Sequence, residues 1–317
     1  MSAEIILKPV KIVKLFKALN AVPDNLDKIR ARELWEKTDQ GSESVVAVLD
    51  SGVQVDHPSL KVNIIDGYNF TDDDEGNPII YQDYLGHGTH VSGIIAAVDN
   101  GGGIIGVAPK SKLLILKVIN HKGRGSFEDL IKAIMYAVDW TGPNGEKVNI
   151  MNMSLGSPEP HEELYRAIKY ARSKGIVLVA AAGNEGDGES DTIEISYPGF
   201  YKEVIQVGSI SDTETPSKFS NTNVNLDFVG PGENILSTHL NSDYVELTGT
   251  SMAAPFVAGA AALIIKMINR SEPHLIPMYV YDYLLSHALP LENFSINQVG
   301  NGLNKQLLKE CNQGHDV

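Results

Sequence analysis

Between Glu246 and Lys266 no residue is charged, and Leu247–Lys266 reads LTGTSMAAPFVAGAAALIIK. A helix that is apolar all round cannot lie on a protein surface; it has to be enclosed. A bilayer is excluded, because the run is too short to span one and contains Pro255. The rest of the chain must therefore bury this segment. Ser251 stands at its mouth, where a hydroxyl can cap orphan backbone N–H groups or act as a nucleophile favoured by the helix dipole. The stretch alone leaves both roles open.

Material for the enclosure recurs along the sequence. Val45–Leu49, Leu113–Ile119, Asn149–Met153, Ile176–Ala182 and Val204–Val207 are short apolar runs bounded by turn residues, as expected of strands buried on both faces. Helical patterns separate them at Gly88–Val98, Phe127–Trp140 and Glu162–Lys174, the last closed by Gly175. Strands alternating with helices predict an α/β fold: three layers, with a mainly parallel central sheet flanked by helices. In such folds ligands bind beyond the carboxyl ends of the strands. Asp50, Ser154 and Asn184 follow three of those ends.

The net charge of −14 is spread through the 317 residues, with no basic stripe for nucleic acid. A single cysteine, Cys311, cannot form an internal disulfide and fits a reducing compartment. Lys8, Lys11, Lys14 and Lys17 interrupt the apolar residues of the N-terminus, which lacks a signal-peptide core. The expectation is a cytoplasmic protein with no membrane partner.

His87, in LGHGTH, completes a set with Asp50 and Ser251 in the order acid, base, nucleophile. A serine hydroxyl needs an imidazole to take its proton, and the imidazole needs a carboxylate to hold its tautomer. Asn184 is placed to donate its amide to a developing oxyanion. Taken singly, each residue also fits a cap, a turn or a local hydrogen bond.

Together, VLDSGVQVDHPSL around Asp50, GHGTHVSGIIAA around His87, MSLG at Met153–Gly156, AAAGNEGD around Asn184 and GTSMAAPFVAGAAAL around Ser251 resemble the subtilisin-like serine proteases. The words span about Val22 to Ile265, and DWTGPNGE resembles the intracellular bacterial branch. The resemblance implies an intracellular serine endopeptidase of broad specificity acting on polypeptides. Asp50 would be the orienting acid, His87 the base, Ser251 the nucleophile and Asn184 the oxyanion donor. Ser154-Leu155-Gly156 and Gly123–Gly125 would flank the substrate backbone, with Phe127 by an outer pocket and Ala181, Gly183 and Glu185 in the primary one. Lys122 and Arg124 suggest an acidic preference three residues upstream of the residue preceding the cut.

The resemblance further implies residues 1 to about 18 as an inhibitory extension, 19–303 as the catalytic domain and 304–317 as a tail. Leu7-Lys8-Pro9-Val10 would correspond to the segment that crosses the cleft, with Pro9 resisting the cut. A homodimer is also implied. Structural Ca²⁺ is expected at Asp227 with carbonyls of Gly199, Tyr201 and Val204. A second family site would use Val98, Asn100, Gly102 and Ile104, but Ser59 replaces its usual carboxylate.

Rival chemistries fit less well. Gly101–Gly106 matches G-x-G-x-x-G but follows a helix, the wrong context for a dinucleotide. His87 and His90 lack the glutamate and third ligand of a zinc hydrolase. GTSMA fails the esterase pattern at its last position. A catalytically silent peptide-binding protein remains the non-enzymatic alternative.

Overall fold

The computed structural model describes residues 4–7, 11–16, 25–99, 103–268 and 270–304. Two strands come first, β1 (Glu4–Ile6) and β2 (Lys11–Phe16), then the short helices α1 (Asn25–Lys28) and α2 (Arg32–Thr38). Next are β3 (Val45–Asp50), β4 (Ile64–Asn69), α3 (His87–Ala96), β5 (Lys112–Lys117), β6 (Arg124–Ser126) and α4 (Phe127–Asp139). They are followed by β7 (Ile150–Met153), α5 (Glu162–Ser173), β8 (Val177–Ala181), β9 (Ile205–Ile210), β10 (Phe228–Pro231), β11 (Ile235–Thr238) and β12 (Tyr244–Thr248). The remainder comprises α6 (Thr250–Ile264), α7 (Ile276–Ser286), β13 (Ala288–Leu289), α8 (Ile296–Val299) and β14 (Leu303–Asn304).

A nine-stranded sheet runs β13-β14-β10-β9-β8-β7-β3-β5-β4. Every neighbouring pair is parallel except β13 with β14. Strand side chains alternate between faces, and both faces here are covered. Val46 and Val48 enter one apolar core with α3 and α6, while Val45, Ala47 and Leu49 enter the other with α4 and α5. That is why VVAVL reads as unbroken apolar sequence. The three-layer α/β expectation is met, and each strand and helix predicted above is present to within a few residues.

All fifteen residues of α6 are buried, as its lack of charge requires. It packs against α3 and beneath β8, β9 and β10. Pro255 lies inside this helix and has no N–H to offer the Ser251 carbonyl four residues back. The Ser154 hydroxyl supplies the missing donor, at 2.9 Å from that carbonyl.

Other elements were not legible in the sequence. β4 is an edge strand whose IIDGYN mixes charged, polar and apolar residues. β1 and β2 lie in the lysine-interrupted N-terminus. They belong to two smaller sheets, β1 with β6 and β2 on the outer side of β12.

Candidate active site

Asp50 ends β3 and His87 begins α3, so their meeting depends on how closely that helix start approaches the strand end. Gly88 permits the approach: a Cβ there would lie 2.2 Å from the Gly52 carbonyl oxygen and 3.2 Å from Asp50 Oδ1. The helix start is fastened by Asp83, a buried carboxylate. Its Oδ1 accepts from Leu85 N, Gly86 N and Ser51 Oγ, and its Oδ2 accepts from Thr89 N and Thr89 Oγ1. Ser51 Oγ in turn accepts from Gly88 N at 2.9 Å. Asp83 thus stitches the end of β3 to the orphan N–H groups of α3.

A fully buried lysine secures the strand end from the other side. Lys117 Nζ donates to the Ser51 carbonyl at 2.8 Å and pairs with Asp73 Oδ2 at 3.0 Å. Burial alone would raise the Asp73 pKa, but hydrogen bonds from His121 and Lys117 hold it below the ordinary value. Sequence reading missed Lys117 and Asp73, whose partners lie far along the chain, and Asp83, whose partners are mostly the helix start just after it. For Asp83 a local signal existed, an aspartate just ahead of a helix start.

Within this frame His87 Nδ1 donates to Asp50 Oδ1 at 2.8 Å, and Ser51 N donates to the same oxygen at 2.7 Å. With the proton on Nδ1, Nε2 is an acceptor, and it has no protein partner. Burial by itself lowers the His87 pKa. The charge and hydrogen bond of Asp50, with the charge of Asp83, outweigh that and leave it raised. Ser251 is 1% exposed at the start of α6. Its hydroxyl donates to the Ser154 carbonyl at 3.1 Å, so engaging His87 requires a change of acceptor.

Asn184 Oδ1 accepts from Thr250 N at 2.9 Å and Thr250 Oγ1 at 2.8 Å. Two donors on one end of the amide fix its orientation and leave the NH2 group as the free end. Thr250 N is spent on Asn184 and Met252 N on the Gly249 carbonyl, so the donor left at this helix start is the Ser251 N–H. Asp50 and His87 thus meet where β3 ends and α3 begins, and Asn184 meets the start of α6, which carries Ser251. A neutral imidazole with an open Nε2 can take a proton from a hydroxyl brought to it, and an amide NH2 can donate to a negatively charged oxygen.

The flanking residues Gly123–Gly125 and Gly156 hold β1 between them. Glu4, Ile5 and Ile6 pair antiparallel with Ser126, Gly125 and Arg124. Ile6 N donates to the Gly156 carbonyl and Leu7 N to the Gly123 carbonyl, each at 3.2 Å. Ile5 is buried in the apolar cluster that holds Phe127 and Leu155, and Phe127 stacks on His161. Arg124 approaches Glu4 at 3.6 Å, so the acidic residue facing it is the neighbour of the one buried beside Phe127. Ala181 ends β8, and Gly183 N donates to Thr250 Oγ1. The Glu185 carboxylate folds back onto Asn184 N and Asn221 Nδ2. Lys8, Pro9, Val10 and Cys311 lie outside the described residues.

The metal expectations meet different surroundings. Asn100 and Gly102 lie outside the described residues. Ser59 is engaged by neutral groups, its hydroxyl with Tyr244 Oη and its carbonyl with Val98 N. Without a carboxylate this loop does not fit a tight Ca²⁺ site. Asp227 Oδ2 accepts from Gln206 N and Oδ1 from Tyr281 Oη, and burial raises its pKa to about 6. Each oxygen keeps a lone pair, so the residue fits a cation that shares it. The Tyr201 carbonyl accepts from Val204 N. Among the described residues no three His, Cys, Asp or Glu side chains are grouped to hold a metal. His90 Nε2 is taken by the carbonyls of Ile235 and Val245, and burial lowers its pKa to about 3.

A parallel sheet ending in this acid–imidazole pair, with a serine at the mouth of a buried helix, is the arrangement expected of a serine hydrolase. Sequence comparison makes the assignment specific: residues 41–302 match the Subtilase family, and the chain belongs to it. It is 46% identical over 304 residues to the "Intracellular serine protease" of Paenibacillus polymyxa, covering 96% of this chain and 91% of that protein. It is 47% identical to the "Major intracellular serine protease" of Bacillus subtilis (strain 168), covering 95% of this chain and 93% of that one. "Subtilisin Savinase" of Lederbergia lenta is 39% identical over 89% of this chain and 96% of its own length. The protein is a serine endopeptidase.

Proposed function

We propose that this endopeptidase acts in the cytoplasm with broad specificity, and is made latent, with residues 1 to about 18 lying along its own substrate cleft until they are clipped. The observation that carries the reading is the seating of β1. Ile6 and Leu7 donate backbone N–H groups to Gly156 and Gly123, on the two walls flanking the cleft, as an extended peptide would. Affinity from main-chain hydrogen bonds reads few side chains, which supports breadth. The relatives named intracellular support the compartment, and no helix of the described residues is long and apolar enough to cross a membrane.

In the proposed reaction Ser251 Oγ leaves the Ser154 carbonyl, transfers its proton to His87 Nε2 and attacks the substrate carbonyl. Asp50, bonded to Nδ1, stabilises the imidazolium. The Asn184 NH2 group and the Ser251 N–H hold the oxyanion, one such donor contributing about 3 kcal/mol. His87 then passes its proton to the leaving amine, the C–N bond breaks, and an ester on Ser251 remains. Water, deprotonated by His87, attacks that ester and restores Ser251 with release of the acid. A division at residues 18 and 303, a homodimer, and Ca²⁺ held by Asp227 with carbonyls of Gly199, Tyr201 and Val204 complete the reading. Light scattering tests the dimer, and a calcium–chelator thermal-shift titration tests the ion.

The decisive experiment follows peptide hydrolysis from the moment of purification. The full chain should show a lag that ends as mass spectrometry records loss of the N-terminus. Ile5→Asp, which puts a charge in the apolar cluster, should shorten the lag at least about tenfold. Sulfonyl fluoride should label Ser251 only after the lag. Immediate full activity in both chains would refute latency.

A further inference from the structure

The N-terminal segment is anchored twice, and the second anchor has no part in the mechanism above. After β1 pairs at the β6 side, β2 pairs antiparallel along the outer edge of β12: Lys11 faces Thr248, Ile12 faces Leu247, Lys14 faces Glu246, Leu15 faces Val245 and Phe16 faces Tyr244. β11 occupies the other edge of β12. Thr248 is three positions before Ser251 in the chain, so this ladder starts at the nucleophile and runs away from it. The segment's direction matters. Its earlier residues lie on β6 and its later residues on β12, so a substrate with its upstream half in the place of β1 sends its downstream half toward β12.

On the reading that residues 1 to about 18 leave the cleft, the outer N–H and C=O groups of β12 lose their strand partner. An unpaired edge is a template for another extended chain. We propose that the outer edge of β12 is a strand-length docking surface for the part of a polypeptide substrate that follows the cut bond, with Glu246 selecting a basic residue opposite it. The side chains of Tyr244, Val245 and Leu247 are buried, whereas Glu246 and Thr248 are partly exposed, and the Thr248 hydroxyl accepts from Asn234 N, so selection by charge at this edge falls to the glutamate. In β2 the residue opposite is Lys14, and oppositely charged cross-strand pairs are favourable. The protein's net charge of −14 adds a general attraction for basic chains. The occupant is therefore a long, extended, basic downstream sequence. Short peptides do not reach it.

The test uses the full chain after its own activation is complete, with quenched fluorescent peptides identical upstream of the cut. Lengthening the downstream side from roughly two to about eight residues should raise kcat/KM about tenfold through KM, as expected for a few added backbone bonds. A lysine walked along the long downstream side should be favoured over glutamate about two- to fivefold at one position. Glu246→Gln should abolish that preference and Glu246→Lys reverse it, while all three enzymes cleave the shortest peptide equally. No gain with length, or a lysine preference that persists in both variants, would overturn the proposal. Failure of the unaltered enzyme to cleave even the shortest peptide would overturn the peptidase reading and this inference with it.

Discussion

His87 begins α3 and Ser251 stands at the start of α6, and the molecule holds the two helix starts with opposite materials. On the histidine side the fastening is ionic and polar: Asp83 accepts five hydrogen bonds around the start of α3, and buried Lys117 clamps the end of β3. On the serine side it is apolar burial and neutral bonds: α6 is enclosed on every face, Ser154 donates to the Ser251 carbonyl, and Thr250 donates to Asn184. A base whose pKa must be set needs charges close by, and those charges must themselves be satisfied. A nucleophile needs only to be aimed, and close packing of its helix does that without altering the local field.

This contrast predicts different responses to damage. Asp83→Ala strips the acceptor from several buried donors and should destabilise the protein by at least about 4 kcal/mol in urea unfolding. Asp83→Asn, which keeps the size, should move the acid limb of the kcat/KM profile to lower pH. The sign follows from His87, which must be neutral to accept a proton. Its pKa is raised partly by the Asp83 charge, activity falls as pH drops through that pKa, and removing the charge lowers it. An unmoved limb would show that Asp83 acts on His87 through position alone.

Leu263→Ala on α6 should cost about 3 kcal/mol by leaving a core cavity, with no movement of the limb. A limb that did move would mean the two sides are not electrostatically separate. The finest probe is a double-mutant cycle, made on Ser251→Ala to prevent self-digestion. Ser154→Ala leaves the residue-251 carbonyl without a donor, whereas Pro255→Ala restores an N–H that can reach it. The two changes should couple favourably by about 1 kcal/mol in unfolding free energy, and additivity would deny that Ser154 compensates for the proline.

What the sequence revealed follows the same division. Strands buried on both faces are legible because every residue is apolar, as in VVAVL at Val45–Leu49 and IVLVAAA at Ile176–Ala182. The all-apolar helix after Ser251 is legible for the same reason. Asp50, His87, Asn184 and Ser251 were found through the words around them, and the structure brings the first two into hydrogen-bond contact. Asp83, Lys117 and Asp73 stayed hidden, because an isolated charged residue in sequence looks the same whether it is solvated or buried against a distant partner. β1 and β2 stayed hidden because they gain their partners from strand edges formed elsewhere in the chain, and no local alternation announces them.

The enclosure of α6 also bears on how an active protease survives among copies of itself. A peptide bond is cut only when its segment unfolds enough to be drawn out into another enzyme's cleft. The helix that carries Ser251 is covered on every side, so it opens only when the molecule as a whole does. Damage between copies must begin at the rim, in exposed loops and termini, and a molecule nicked there keeps its catalytic centre assembled.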